Sequence, residues 1–177
     1  MSLLRTIRRY LSDLPVRRSI ARILGENVLC SMATIGPRGR AHVNTAYYCF
    51  SPDLKLYFLS DPGSRHCMNL ARSPSMAIAV FRSSQVWGKP DRGLQLFGTC
   101  SEARGADRTA AERLYGRRFP AYAKAMGAAS RNTQREAQFR RSYRFYRFVP
   151  REVKVLDERV FGGGVFVIAK VPPGRTL

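Results

Sequence analysis

Acidic residues are scarce in this chain. Twelve Asp and Glu stand against 31 Lys and Arg, a formal net charge of +19 over 177 residues. Paired catalytic carboxylates are absent, since the few acids fall mostly in segments that read as helices and loops. Histidine is as rare, with His42 and His66 alone, so an all-protein zinc site would have to recruit scattered cysteines. Cys30, Cys49, Cys67 and Cys100 form no CxxC pair and no finger spacing. They are expected to be reduced packing residues, and no metal site is expected. There is no GxSxG, and neither histidine sits in a pattern that would activate a nucleophile. No stretch approaches the roughly 18 consecutive apolar residues that a membrane span needs. The cation-studded start MSLLRTIRRYLSDLPVRRSIARIL lacks the apolar core and cleavage site of a secretory signal. A cytoplasmic protein with no membrane contact is the expectation.

What is present is enough apolar content, 45%, for one domain over residues 1–177 with a real core. In residues 1–25, apolar side chains near helical spacing, broken at Pro15, predict two short amphipathic helices with solvated arginine faces. The period then changes. NVLCSMATI and RAHVNTAYYCF read as strands joined by the turn GPRG, followed by LKLYFLS, SMAIAVF and GLQLFGTCSEA. These strands make a barrel core over 27–103. The alanine-rich stretch 106–126 predicts a helix, GAASRNTQREAQFRR a mobile connection, and SYRFYRFVP, REVKVLD and VFVIAKV closing strands over 142–171. The fold class is mainly β with appended helices, a small antiparallel barrel. The basic surface attracts phosphates, nucleic acid or acidic partners through its field. With no RNP, zinc-finger or helix-turn-helix signature in the chain, nucleic acid is not the expected partner.

The segment SDPGSRHCMNLAR carries the chemistry. Asp61 could cap a helix beginning at Pro62, leaving the amides of Gly63, Ser64 and Arg65 to converge on an anion. The Ser64 hydroxyl, the Arg65 guanidinium and His66 would complete a phosphate pocket. An ordinary helix start with a solvated arginine accounts for the same residues. Cys67, Leu70 and Ala71 are expected to face the core, with Arg65, His66 and Asn69 outward. In HVNTAYYCF, alternation places His42, Asn44, Ala46 and Tyr48 on one face and Val43, Thr45, Tyr47 and Cys49 on the other. Asn44, Thr45 and, in GLQLFG, Gln95 are poor barrel-interior residues unless they bond a neighbouring strand or a flat heteroaromatic ligand. Outward-facing polar positions would serve equally well.

These residues together resemble the pyridoxamine 5'-phosphate oxidase-like, FMN-binding split-barrel proteins. The resemblance runs from VLCSMATIGPRGRAHVNTAYYCF through LYFLSDPGSRHCMNLARSPSMAIAVF to GLQLFGTCSEA, best over Asn27 to Pro120. It implies a six-stranded split barrel, a homodimer with the flavin at the subunit interface, and FMN as cofactor. Ser64, Arg65 and His66 would hold the phosphate, Asn44, Thr45 and Ala46 would lie along the isoalloxazine ring, and Gln95 would touch ring or ribityl chain. His66 stands where many relatives carry lysine. FGGGVFVIAKVPPGRTL lacks the basic, tryptophan-containing segment by which vitamin B6 oxidases recognise their substrate. The resemblance therefore implies a flavin-dependent oxidoreductase acting on another small molecule. Its rivals are an F420-binding reductase, a non-catalytic flavin- or haem-binding protein with His66 as haem ligand, and a non-specific nucleic-acid binder.

Overall fold

Alternating side chains build the sheet strand by strand. Met76, Ile78 and Val80 point inward from one strand, Leu94 and Leu96 from the next, and Val153 and Val155 from a third, all nearly inaccessible to solvent. The computed structural model describes residues 4–127 and 142–172. The connection expected at GAASRNTQREAQFRR lies, beyond Gly127, outside the described residues. In chain order the elements are β1 (Arg5–Tyr10), α1 (Leu14–Glu26), β2 (Leu29–Ile35), a 3₁₀ turn (Pro37–Gly39), β3 (Ala41–Phe50), β4 (Leu56–Ser60), α2 (Arg65–Arg72), β5 (Ser75–Phe81), β6 (Arg92–Glu102), α3 (Gly105–Arg118), α4 (Pro120–Gly127), β7 (Arg144–Asp157), α5 (Glu158–Phe161) and β8 (Val165–Lys170).

Strands β7, β4, β3, β2, β5 and β6 are hydrogen-bonded in that order, and β6 pairs back onto β7. The result is a closed six-stranded antiparallel barrel, as the sequence implied. β8 extends the sheet antiparallel to β7, and β1 adds parallel to β8.

The first of the two expected N-terminal helices is instead β1, and the second is α1. A six-residue cationic segment is too short to hold a helix by itself. Laid beside β8, it satisfies backbone groups of an otherwise open edge and half-buries Ile7. α1 does bury Val16, Ile20, Ile23 and Leu24, in the same core as Met32, Leu96 and Val153. Arg118, at the end of α3, donates to the carbonyls of Leu24 (2.9 Å) and Asn27, with its guanidinium 5.1 Å from the Tyr48 ring centroid. It thus serves the exposed carbonyls where α1 ends. Beneath α3 a smaller core gathers Cys49, Tyr57, Ala111, Leu114, Tyr115 and Phe145. All four cysteines are free and buried, and burial pushes the Cys30 and Cys49 thiols up to about 12.

The segments SYRFYRFVP and REVKVLD are one continuous 14-residue strand, β7. Pro150 in mid-strand is accommodated because the β6–β7 register shifts between Phe97 and Gly98, so that Phe97 faces Glu152 and Gly98 faces Pro150. The backbones approach closely there, and a Cβ on Gly98 would stand 2.1 Å from the Val149 carbonyl oxygen. Gly98→Ala should therefore destabilise the fold by about 1 to 3 kcal/mol, through forced backbone displacement at the closing seam. Urea unfolding measures this, and an unchanged midpoint would contradict the close approach.

Candidate functional site

The loop ahead of α2 decides the geometry of the site. The Asp61 carboxylate accepts from the Gly63 amide at 2.8 Å, and the Asp61 carbonyl accepts from the Ser64 amide at 3.0 Å. Asp61-Pro62-Gly63 is therefore a turn and not the first helical turn, which corrects the expected start at Pro62. The N-cap is Ser64, in extended conformation, and its hydroxyl makes no capping bond. Asp bonds its own backbone two residues on as readily as it caps a helix, and Gly63 supplies the flexible third position. The first intrahelical bond runs from the Met68 amide to the Ser64 carbonyl, 3.0 Å. The amides of Arg65, His66 and Cys67 therefore precede the helical ladder and head the positive end of the helix dipole.

The Ser64 hydroxyl is turned to His66 instead, with Oγ 3.1 Å from Nε2. Ser60, the last residue of β4, brings its Oγ to 2.6 Å from the same nitrogen. His42 comes across from β3, its ring parallel to that of His66 within 6° at a centroid separation of 6.4 Å. Burial first, and the neighbouring His42 second, hold the His66 pKa below its ordinary value. Its Nε2 thus lies within hydrogen-bond distance of two hydroxyls. Arg65 is exposed and, among the described residues, has no hydrogen-bond or ion-pair partner.

Asn44 and Ala46 share the half-buried face of β3 with His42. Asn44 Oδ1 is buried and has no partner among the described residues. An orphaned buried amide oxygen is rare enough in folded proteins to ask for a ligand or water. Thr45 lies on the opposite, exposed face of β3. In register it pairs with Ser31, Ser31 with Ala79, and Ala79 with Gln95, so Thr45 and Gln95 end one row across the outside of β3, β2, β5 and β6. Ser64, Arg65 and His66 thus adjoin at the start of α2, His66 faces His42 of β3, Asn44 and Ala46 follow His42 along the same face of β3, and Thr45 and Gln95 lie on the outer face.

Asn69 is not outward as expected. It is buried, and its Nδ2 donates to Thr34 Oγ1 of β2 at 3.0 Å, while Ala71 is exposed. The amide anchors the helix to the barrel through a cross-element bond that a hydrophobicity pattern does not register. His42 and Ser60 were not among the expected cofactor-binding residues. Alternation had already put His42 on the Asn44 face, but nothing local signalled that β4 would end beside it.

The family profile described as Pyridoxamine 5'-phosphate oxidase matches residues 17–156, and the chain belongs to that family. No curated protein matches it significantly. Among solved structures, it is similar to a haem-binding protein from Mycobacterium smegmatis, with TM-score 0.65 and 16% identity over 86% of this chain and 57% of that one. It is similar to HutZ, the haem storage protein of Vibrio cholerae, with TM-score 0.58 and 16% identity over 80% and 91% of the two chains. A protein from Clostridium acetobutylicum, related to a general stress protein and of the pyridoxinephosphate oxidase family, gives TM-score 0.57 and 13% identity over 86% and 92%. At these identities the likeness carries the fold. Among the described residues, no helix is long and apolar enough to cross a membrane, and no group of three His, Cys, Asp or Glu could hold a metal ion.

The depressed His66 pKa fixes the sign of one pH effect. The unfolded chain takes up the proton near pH 6.5 and the folded chain at lower pH, so stability falls as pH drops below about 6.5. Ligand-free protein should melt at progressively lower temperature from pH 7 to pH 5, and His66→Gln should show a shallower decline. Equal slopes for the two proteins would remove His66 as a buried neutral base.

Proposed function

We propose that the chain binds FMN in this cleft and acts as a flavin-dependent oxidoreductase on a small molecule other than a vitamin B6 phosphate. The observation that carries the reading is the exposed Arg65 guanidinium, without a partner among the described residues, beside the amides that precede the α2 ladder, one strand from the unpartnered Asn44 Oδ1. A phosphate monoester takes up the first set of donors. A ring amide or ribityl hydroxyl would satisfy Asn44, with Ala46 leaving room for a flat ring beside it. Bound FMN would supply hydride or electron transfer. The protein's part is to hold the phosphate through Arg65 and the helix amides, and to turn His66 by its bonds to Ser60 and Ser64.

A homodimer completes this reading. Val43, Ala33, Ala77 and Phe97 form a second cross-strand row on the outer face. Val43 is 64% exposed and Phe97 41%, with exposed Tyr47, Leu29 and Phe81 on the same strands. So contiguous an apolar face suits burial against a copy of itself. The Thr45–Gln95 row would lie in that interface, within reach of flavin bound at its margin.

Haem binding is the second reading, favoured by the facing pair His42 and His66. It has to break the two hydroxyl contacts that already occupy His66 Nε2. F420 in place of FMN would use the same cleft. The absorbance of purified protein separates the three, since flavin, deazaflavin and haem have distinct bands.

Arg65→Ala should weaken FMN binding roughly ten- to a hundredfold, the worth of a charge-assisted contact, and riboflavin binding far less. Equal loss for both flavins, or none, would overturn the phosphate role. Phe97→Asp should convert a dimer to monomer in light scattering at micromolar concentration, and a wild-type monomer carrying FMN would refute the interface.

A further inference from the structure

β1 closes the edge of β8 but leaves its own far edge open. The sheet order ends at β1, and among the described residues nothing pairs with its other side. In a parallel ladder the N–H and C=O of one residue reach the same neighbour, and alternate residues turn to alternate sides. The Arg5 amide donates to the Gly164 carbonyl at 2.9 Å. By register, Arg5, Ile7 and Arg9 therefore serve β8, while the backbone groups of Thr6, Arg8 and Tyr10 point away from the sheet. Of these the Tyr10 carbonyl is used, accepting from the Asp13 amide at 3.0 Å. The N–H and C=O of Thr6 and Arg8, and the Tyr10 N–H, are left for a further strand.

The side chains on this edge are cationic. Arg5, Arg8 and Arg9 are all exposed and have no hydrogen-bond or ion-pair partner among the described residues. Beside them lies a hollow of about 540 Å³, whose lining includes Arg8, Arg9, Tyr10, Ile168, Lys170 and Pro172, and no carboxylate lines it. Tyr10 is 79% exposed. Cations on an edge strand commonly serve to repel a second copy, and β1 against β1 would set arginine beside arginine. The same charges select an acidic strand, and an exposed tyrosine at a partly apolar hollow goes beyond what repulsion requires.

We propose that this edge receives an extended acidic segment of a partner protein as an added strand, with carboxylates against Arg5, Arg8 and Arg9 and an apolar side chain in the hollow beside Tyr10. The outward carbonyls of Thr6 and Arg8 decide for a peptide. They need donors, and a peptide backbone offers donors and acceptors in register, whereas the phosphates of nucleic acid or of a lipid surface only accept.

Calorimetric titration of the full chain at constant ionic strength tests this with a capped hexapeptide of alternating glutamate and valine. The peptide should bind, and methylating its backbone amides should weaken binding about tenfold or more while its charges remain. Thr6→Pro removes an outward donor and spares the β1–β8 ladder, so it should cost a similar factor with the melting temperature little changed. Arg8→Glu should weaken the peptide at least as much. Where Thr6→Pro lowers the melting temperature, Arg8→Glu and the methylated peptide decide. No peptide binding up to millimolar concentration, or equal binding of the methylated peptide, overturns the proposal. Binding to vesicles of phosphatidylcholine and phosphatidylserine, or to single-stranded RNA, that exceeds peptide binding and survives Thr6→Pro also overturns it, and makes the edge a surface for phosphates.

Discussion

Closure of the barrel depends on one strand. β7 pairs with β4 along Arg144 to Phe148, with β6 from Tyr146 to Asp157 across the bulge, and with β8 along Glu152 to Leu156. Among the described residues no other strand is engaged by three neighbours, and without it the sheet from β4 to β6 would have two open edges. The bulge opposite Gly98 lets a proline-containing strand make all these pairings. Everything at the candidate site follows, because β4 must be held in place for Ser60 to meet His66, and β3 for His42 to face it.

Much of this was legible in the alternation of side chains. The strands from Leu29 to Glu102 are where period-two patterning put them, and His42, Asn44 and Ala46 share a face as that period requires. What the sequence concealed was non-local. RTIRRY has apolar spacing compatible with a helix, and becomes a strand because β8, some 160 residues later, offers an edge. Asn69 reads as a surface residue because its value lies in one hydrogen bond to Thr34 across 35 residues. The turn Asp61-Pro62-Gly63 uses residue types that also open helices, so the helix start could be placed only to within a turn.

The electrostatic character of the cleft is divided. Arg65 supplies permanent charge at its rim, while the half-buried His66 sits further in. Burial first, and then its neighbour His42, lower the His66 pKa from its ordinary value. On the reading proposed above, such a site would hold an anion through helix-terminal amides and one guanidinium. A lysine in place of His66 would add charge throughout the physiological range.

From Ala41 to Tyr47, β3 alternates the half-buried residues of the His42 face with the exposed residues of the proposed contact surface. This places an arithmetic rule on how the chain can diverge. An insertion or deletion that shifts β3 by one position against β2 and β4 would exchange the two sides wholesale, sending His42 and Asn44 outward and Val43 and Tyr47 into the cleft. Chains descended from this one can therefore lengthen or shorten the Gly36–Arg40 connection freely only where the added loop leaves the parity of the strand intact.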